Sequence, residues 1–265
     1  MPMWIYTLPT WQMLLLFIGV SVCLCWGLTL LLKPLMEQWF EDNHENRNNV
    51  IEIMIAGTGL FYGLLVGLVA VGAYTNYTNA DDAVTHEANA AGVLYRDVSN
   101  FPEPQRSELR ADISNYIEIV VNKEFPSAHQ GELLTTATPV ATKIQNGVSS
   151  FAPTNFAGNA LTIETYRQFS EFIKDRNERI NLMKSGLPGT LWFVLIVGAI
   201  INLMLMAMLW VKKLKTHFAF SGLFAVFLSL MLFLIAAMDH PFLGQYSITP
   251  GAFETIQNVV IPQIP

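Results

Sequence analysis

The sequence predicts an all-α membrane protein, with four transmembrane helices and a helical soluble domain inserted between the second and the third. Three observations carry that reading. Apolar residues make up 52% of the 265 residues and charged residues only 14%, an unusual balance for a soluble chain. Four stretches reach the roughly 20 apolar residues that a bilayer-spanning helix needs. Elsewhere the apolar positions recur at three- and four-residue steps, and no convincing strand pair appears.

The spans are residues 11–32, 54–74, 187–211 and 218–238, and none contains a charged residue. The first lacks a basic leader and a small-residue cleavage site before Lys33, so it reads as a retained span and not a secretory signal. Within it, Cys23 and Cys25 point in different directions on a helix and are expected as inert packing residues. Gaps of 21, 112 and six residues separate the spans. The organisation is therefore 1–74 as two spans with a short loop, 75–186 as the soluble domain, 187–238 as two further spans, and 239–265 as a C-terminal tail.

Segment 75–186 holds 10 Lys and Arg against 14 Asp and Glu, which leaves no basic footprint for nucleic acid. After the 101–104 break, Leu109, Ile113, Tyr116, Ile117 and Val120 mark one amphipathic helix. Tyr166, Phe169, Ile173, Arg176, Ile180 and Met183 mark another, expected to start near a Thr162 cap and to run through Gly186-Leu-Pro-Gly into the third span. Residues 127–160 are rich in small and polar types, and their structure is poorly specified.

The second span is the most informative. Gly59, Gly63 and Gly67 fall every fourth position and form a smooth ridge, suited to close helix approach where lipid offers no hydrophobic drive. Phe61, Leu65 and Leu68 lie on the opposite side. That bulky stripe faces either acyl chains or the axis of a ring of copies. No turn signal interrupts the chain between Tyr74 and Tyr95, so the helix is expected to continue beyond the membrane. There the same stripe becomes Asn79, Asp82 and His86, with Asp81 beside it, which favours a water-filled vestibule over lipid. Asp82 and His86 are four residues apart, a spacing that also fits an ordinary exposed helix pair.

Several segments together resemble the bestrophin-like domain family of bacterial membrane proteins: DAVTHEA at 82–88, AGVLYR at 91–96, FPEPQR at 101–106, the 116–126 stretch ending EFP, RNER at 176–179, GLPGTLW at 186–192 and DHPFLG at 239–244. The resemblance implies a distant kinship to bestrophins, which are pentameric ion channels with an apolar neck on the second span. It makes Phe61, Leu65 and Leu68 the expected neck, in a homo-oligomer of four or five subunits conducting inorganic ions. The Ca²⁺ clasp of bestrophins has no counterpart here. Asp81 and Asp82, with no Lys or Arg before Arg96, tip the expected selectivity toward cations.

No nucleophile with a base, metal cluster or phosphate loop has a recognisable spacing, so neither enzyme activity nor a cofactor or metal is expected. The 239–241 Asp-His-Pro reads as a helix stop. A small secondary transporter is the first alternative, although Asn202 is the only strongly polar residue near a span centre. The second is a non-conducting sensor or scaffold with the helical domain as its working end. Basic residues of the short loops, Lys33, Arg47, Lys212, Lys213 and Lys215, outnumber the four just before the third span. This places the short loops in the cytoplasm of a bacterial inner membrane, with both termini and the soluble domain outside.

Overall fold

A computed structural model describes residues 3–40, 44–151 and 156–264, and among them there is no strand. The chain divides into two compact units, Met1–Thr75 with Gly186–Asp239 and Asn76–Ser185 with His240–Pro265. The helices are α1 (Thr10–Phe40), α2 (His44–Val98), α3 (Gln105–Ile119), α4 (Phe125–His129), α5 (Thr138–Ser149), α6 (Phe156–Met183), α7 (Gly189–Met208), α8 (Leu214–Asp239) and α9 (Gly251–Thr255). Four of them, α1, α2, α7 and α8, are long and apolar enough to cross a membrane. As the uninterrupted sequence predicts, α2 runs on without a break, over 55 residues.

In the first unit α1 packs against α7 and α8, around a core that includes the fully buried Cys25, Leu195, Ala225 and Ile235. Small residues admit two aromatic rings. The Trp26 indole lies against Gly222 and donates to the Phe218 carbonyl at 3.1 Å. Tyr62 lies against Gly198 and donates to the Leu195 carbonyl at 3.0 Å. A Cβ at Gly198 would stand 2.5 Å from that ring. Gly198→Ala is therefore expected to lower stability by about 1–3 kcal/mol, the usual range for overpacking. Thermal unfolding in detergent checks it, and an unchanged midpoint would show that the Tyr62 ring is free to move aside.

The helix stop at the end of α8 does more than end the ladder. Asp239 is buried, and its carboxylate accepts from the Tyr6 hydroxyl at 2.5 Å, the Trp192 indole at 2.8 Å and the Leu187 backbone N–H at 2.5 Å. One side chain thus ties the N-terminal segment to the entry of α7 and the exit of α8. Burial raises the Tyr6 phenol well above its usual range, with Asp239 adding to the effect, so Tyr6 remains a neutral donor.

The second unit is built on the rest of α2, with α3 to α6 packed together. Leu109, Ile113, Tyr116, Ile117 and Val120 are all buried, as their spacing predicts. Three expectations are corrected. The helix expected to start near Thr162 begins at Phe156, and the Thr162 hydroxyl bonds back to the Gly158 carbonyl at 2.8 Å, as threonines do inside helices. It also stops at Met183 and does not run into α7. Pro188, in an extended conformation (φ −52°, ψ 138°), has no N–H to continue a ladder. Finally, the tail expected as a separate segment belongs to this unit: Phe242, Ile248, Phe253 and Ile256 enter its core.

Candidate functional site

In the first unit α2 is bare over most of its circumference. Within its most apolar stretch only 11% of residues are buried, against 39% for α7 and for α8. Val66 and Val69 face the bundle, while Leu60, Phe61, Leu64, Leu68 and Val71 stand exposed. The three expected neck residues do not share one environment. Phe61 and Leu68 are 73% and 74% exposed, whereas Leu65 is half-buried against the core beside Tyr62. Leu64, one residue earlier and exposed, lies on the same bare side.

The glycine ridge is split in the same way. A Cβ at Gly59 would meet only the Asn202 amide oxygen, at 3.8 Å, in ordinary contact, while Gly63 and Gly67 look into open space. Asn202 itself is buried and donates back to the Gly198 carbonyl at 2.8 Å. A ridge at Gly63 and Gly67 therefore has no helix of its own chain to receive.

In the second unit Asn79, Asp81, Asp82 and His86 are all exposed along α2, while Ala80, Ala83, Val84 and Glu87 of the same stretch are buried. Asp175 on α6 lies near enough to His86 for the imidazole to oppose the upward push that burial gives the Asp175 carboxyl. Among the described residues no group of three His, Cys, Asp or Glu is placed to hold a metal ion. The side chain of His44 lies outside the described residues.

Beneath that exposed row sits an ion network which the spacing of the sequence does not reveal. Glu87, Glu124 and Arg179 come from α2, the helical segment after α3, and α6, and all are buried. Arg179 donates from Nε to Glu87 Oε2 at 2.5 Å, and from Nη2 to Glu87 Oε1 at 3.2 Å and Glu124 Oε2 at 2.9 Å. The Tyr116 hydroxyl donates to Glu87, and Glu124 accepts from the Ala137 backbone N–H at 2.9 Å. Burial alone would drive the guanidinium toward neutrality, but Glu87, Tyr116 and Glu124 together raise its pKa above the usual arginine value. The Tyr116 phenol is raised well above its range, first by burial and then by Glu87. The signal was present: Arg176 interrupts an apolar stripe, and Glu87 stands among alanines, so both elements carried buried charges in need of partners.

No match is found among curated proteins. The fold is shared with a bacterial bestrophin homologue from Klebsiella pneumoniae: one mutant structure of it is 14% identical, with a TM-score of 0.65 over 94% of this chain and 99% of that one. Another structure of that homologue is 14% identical, with a TM-score of 0.61 over 95% and 99%. A further structure, described as a membrane protein, is 12% identical, with a TM-score of 0.63 over 94% and 97%. A family model for the Bestrophin-like domain matches residues 19–253. With nearly the whole chain matched and four apolar helices present, this is a membrane protein that belongs to the Bestrophin-like family.

Proposed function

We infer that copies of this chain assemble as a homo-oligomeric ring of four or five subunits, with α2 facing the axis, and conduct ions through it. The observation that carries this reading is the bareness of α2, whose uncovered face combines bulky side chains with glycines that nothing in its own chain touches. Lipid alone gains little from Gly63 and Gly67, whereas a neighbouring helix gains close approach. Phe61, Leu65 and Leu68 form the apolar neck, with exposed Leu64 beside them, and Asn79, Asp81, Asp82 and His86 line a vestibule that concentrates cations. The domain inserted between the second and third spans lies outside a bacterial inner membrane, with the short loops in the cytoplasm.

The mass of the detergent-solubilised complex and its currents in planar bilayers test the assignment together. A monomer that carries no current would leave a sensor or scaffold as the reading. An apolar constriction gates by dewetting, so Phe61→Ala and Leu65→Ala are each expected to raise unitary conductance, and serine replacements more so. Unchanged currents in both alanine variants would remove the neck. Gly63→Leu is expected to abolish assembly, because it fills the space a neighbouring helix would occupy, while Gly72→Ala should be mild.

A further inference from the structure

The end of the first unit that carries the short loops holds a half-open cavity of about 140 Å³. Its walls come from the late turns of α1 (Thr29, Lys33, Glu37), the first turn of α2 (Arg47), the link after α7 (with Lys212) and the start of α8 (His217). Three of these residues are basic, Lys33, Arg47 and Lys212, against the one carboxylate of Glu37, which leaves a formal charge of +2. Among the described residues none of the three forms an ion pair.

The site is built, not merely charged. Arg47 is only 3% exposed, and it holds the end of α7 by donating from Nε and Nη2 to the Met208 carbonyl, at 2.7 and 2.5 Å. A guanidinium has five N–H donors, so three remain for another acceptor. Asn48 reinforces the same junction by bonding both ways with the Trp210 backbone, at 3.0 and 2.8 Å. Thr29 and His217 are buried as well, with their Oγ1 and Nε2 atoms 3.2 Å apart. Stable empty cavities are apolar, and one with these walls calls for a polar occupant.

Size and setting narrow the occupant. The volume is well below the roughly 300–1,000 Å³ of a pocket for a drug-sized ligand, so it admits a compact group and not a nucleotide. Arginine matches a phosphate with its planar fork, and lysines add point charge. The remaining walls, among them Leu209, Val211 and Leu214, are apolar and stand at the ends of spanning helices. We propose that this cavity binds the phosphate of an acidic phospholipid, with the acyl chains passing out along the ends of α7 and α8.

The full chain, purified in neutral detergent, is titrated separately with phosphatidylglycerol, phosphatidylcholine and inorganic phosphate, and read by native mass spectrometry and thermal shift. One phosphatidylglycerol retained per subunit, with no comparable retention of phosphatidylcholine, is the expected result. Lys33→Gln combined with Lys212→Gln should weaken that retention by about 30-fold. Lys213→Gln combined with Lys215→Gln removes the same charge outside the cavity and should change it by less than about threefold. Arg47 is left intact because it secures α7. Equal losses in the two double variants would overturn the site in favour of diffuse attraction to anionic lipid. Thermal protection by inorganic phosphate with none from phosphatidylglycerol would overturn the lipid and leave a soluble phosphate as the ligand.

Discussion

Arg179→Ala is expected to cost the chain about 3–5 kcal/mol, the penalty for stripping the partner from a buried charge. The substitution leaves Glu87 and Glu124 facing each other in the core with one cation fewer. Arg176, also buried in this unit, does not replace it: its Nη2 donates to the Thr138 hydroxyl at 2.7 Å, and its Nε has no partner among the described residues. Stacking is lost too, because the Arg179 guanidinium lies 5.7 Å from the centre of the Phe125 ring. Arg179→Lys should recover only part of the loss, since an ammonium cannot present two parallel donors to Glu87. Glu87→Gln should be milder than Glu87→Ala, as an amide oxygen still accepts from the Tyr116 hydroxyl. Denaturant unfolding of the solubilised protein, with proteolysis of segment 76–185 as a second readout, checks the order. A midpoint for Arg179→Ala within about 0.5 kcal/mol of the parent, the range of ordinary surface changes, would mean that the network holds nothing together.

The contrast between α3 and Arg179 shows what was legible in the sequence. In α3 Leu109, Ile113, Tyr116 and Ile117 are large, share one face of the helix and are buried, so one-dimensional periodicity was enough to find them. Arg179 lies one position from Ile180 in the predicted stripe, and the structure buries the arginine and leaves the isoleucine half-exposed. Periodicity weights apolar side chains, so it drew the seam through Ile180 and missed a charge whose partners lie 92 and 55 residues away. The same blindness to long-range pairing hid Asp239, read as a helix stop, and the tail, whose aromatics pack only once a core exists to receive them. In α5 the buried face is Ala141, Ile144 and Val148, and one small residue in three left too weak a signal in a polar stretch. On α2 the sequence located the spanning stripe but not its rotation, because one chain's contacts turn Leu65 inward while leaving Phe61 and Leu68 bare.

Asp82→Asn is expected to move the reversal potential under a KCl gradient toward the anion side, and Asp81→Asn to do so less strongly. Both carboxylates are exposed on α2, and no Lys or Arg follows on that helix before Arg96. If α2 lines the axis, each subunit adds the same pair of charges to one vestibule, and such a ring raises the local cation concentration by several kT. Asp82 falls closer to the line of Phe61 and Leu68 than Asp81 does, one residue being about 100° of helix, so its removal should count for more. A perfectly cation-selective pore gives about 59 mV per tenfold gradient, and the Asp82→Asn shift is expected on the order of 10 mV. The carboxylates face water, so the shift should shrink as salt rises and the screening length falls from about 10 Å at 0.1 M to about 3 Å at 1 M. That salt dependence separates a vestibule ring from a filter that strips ions in a dry constriction, where screening is weak. A reversal potential unmoved in both Asp81→Asn and Asp82→Asn at low salt would take the carboxylate ring out of the permeation path while leaving the apolar neck to be judged by its own variants.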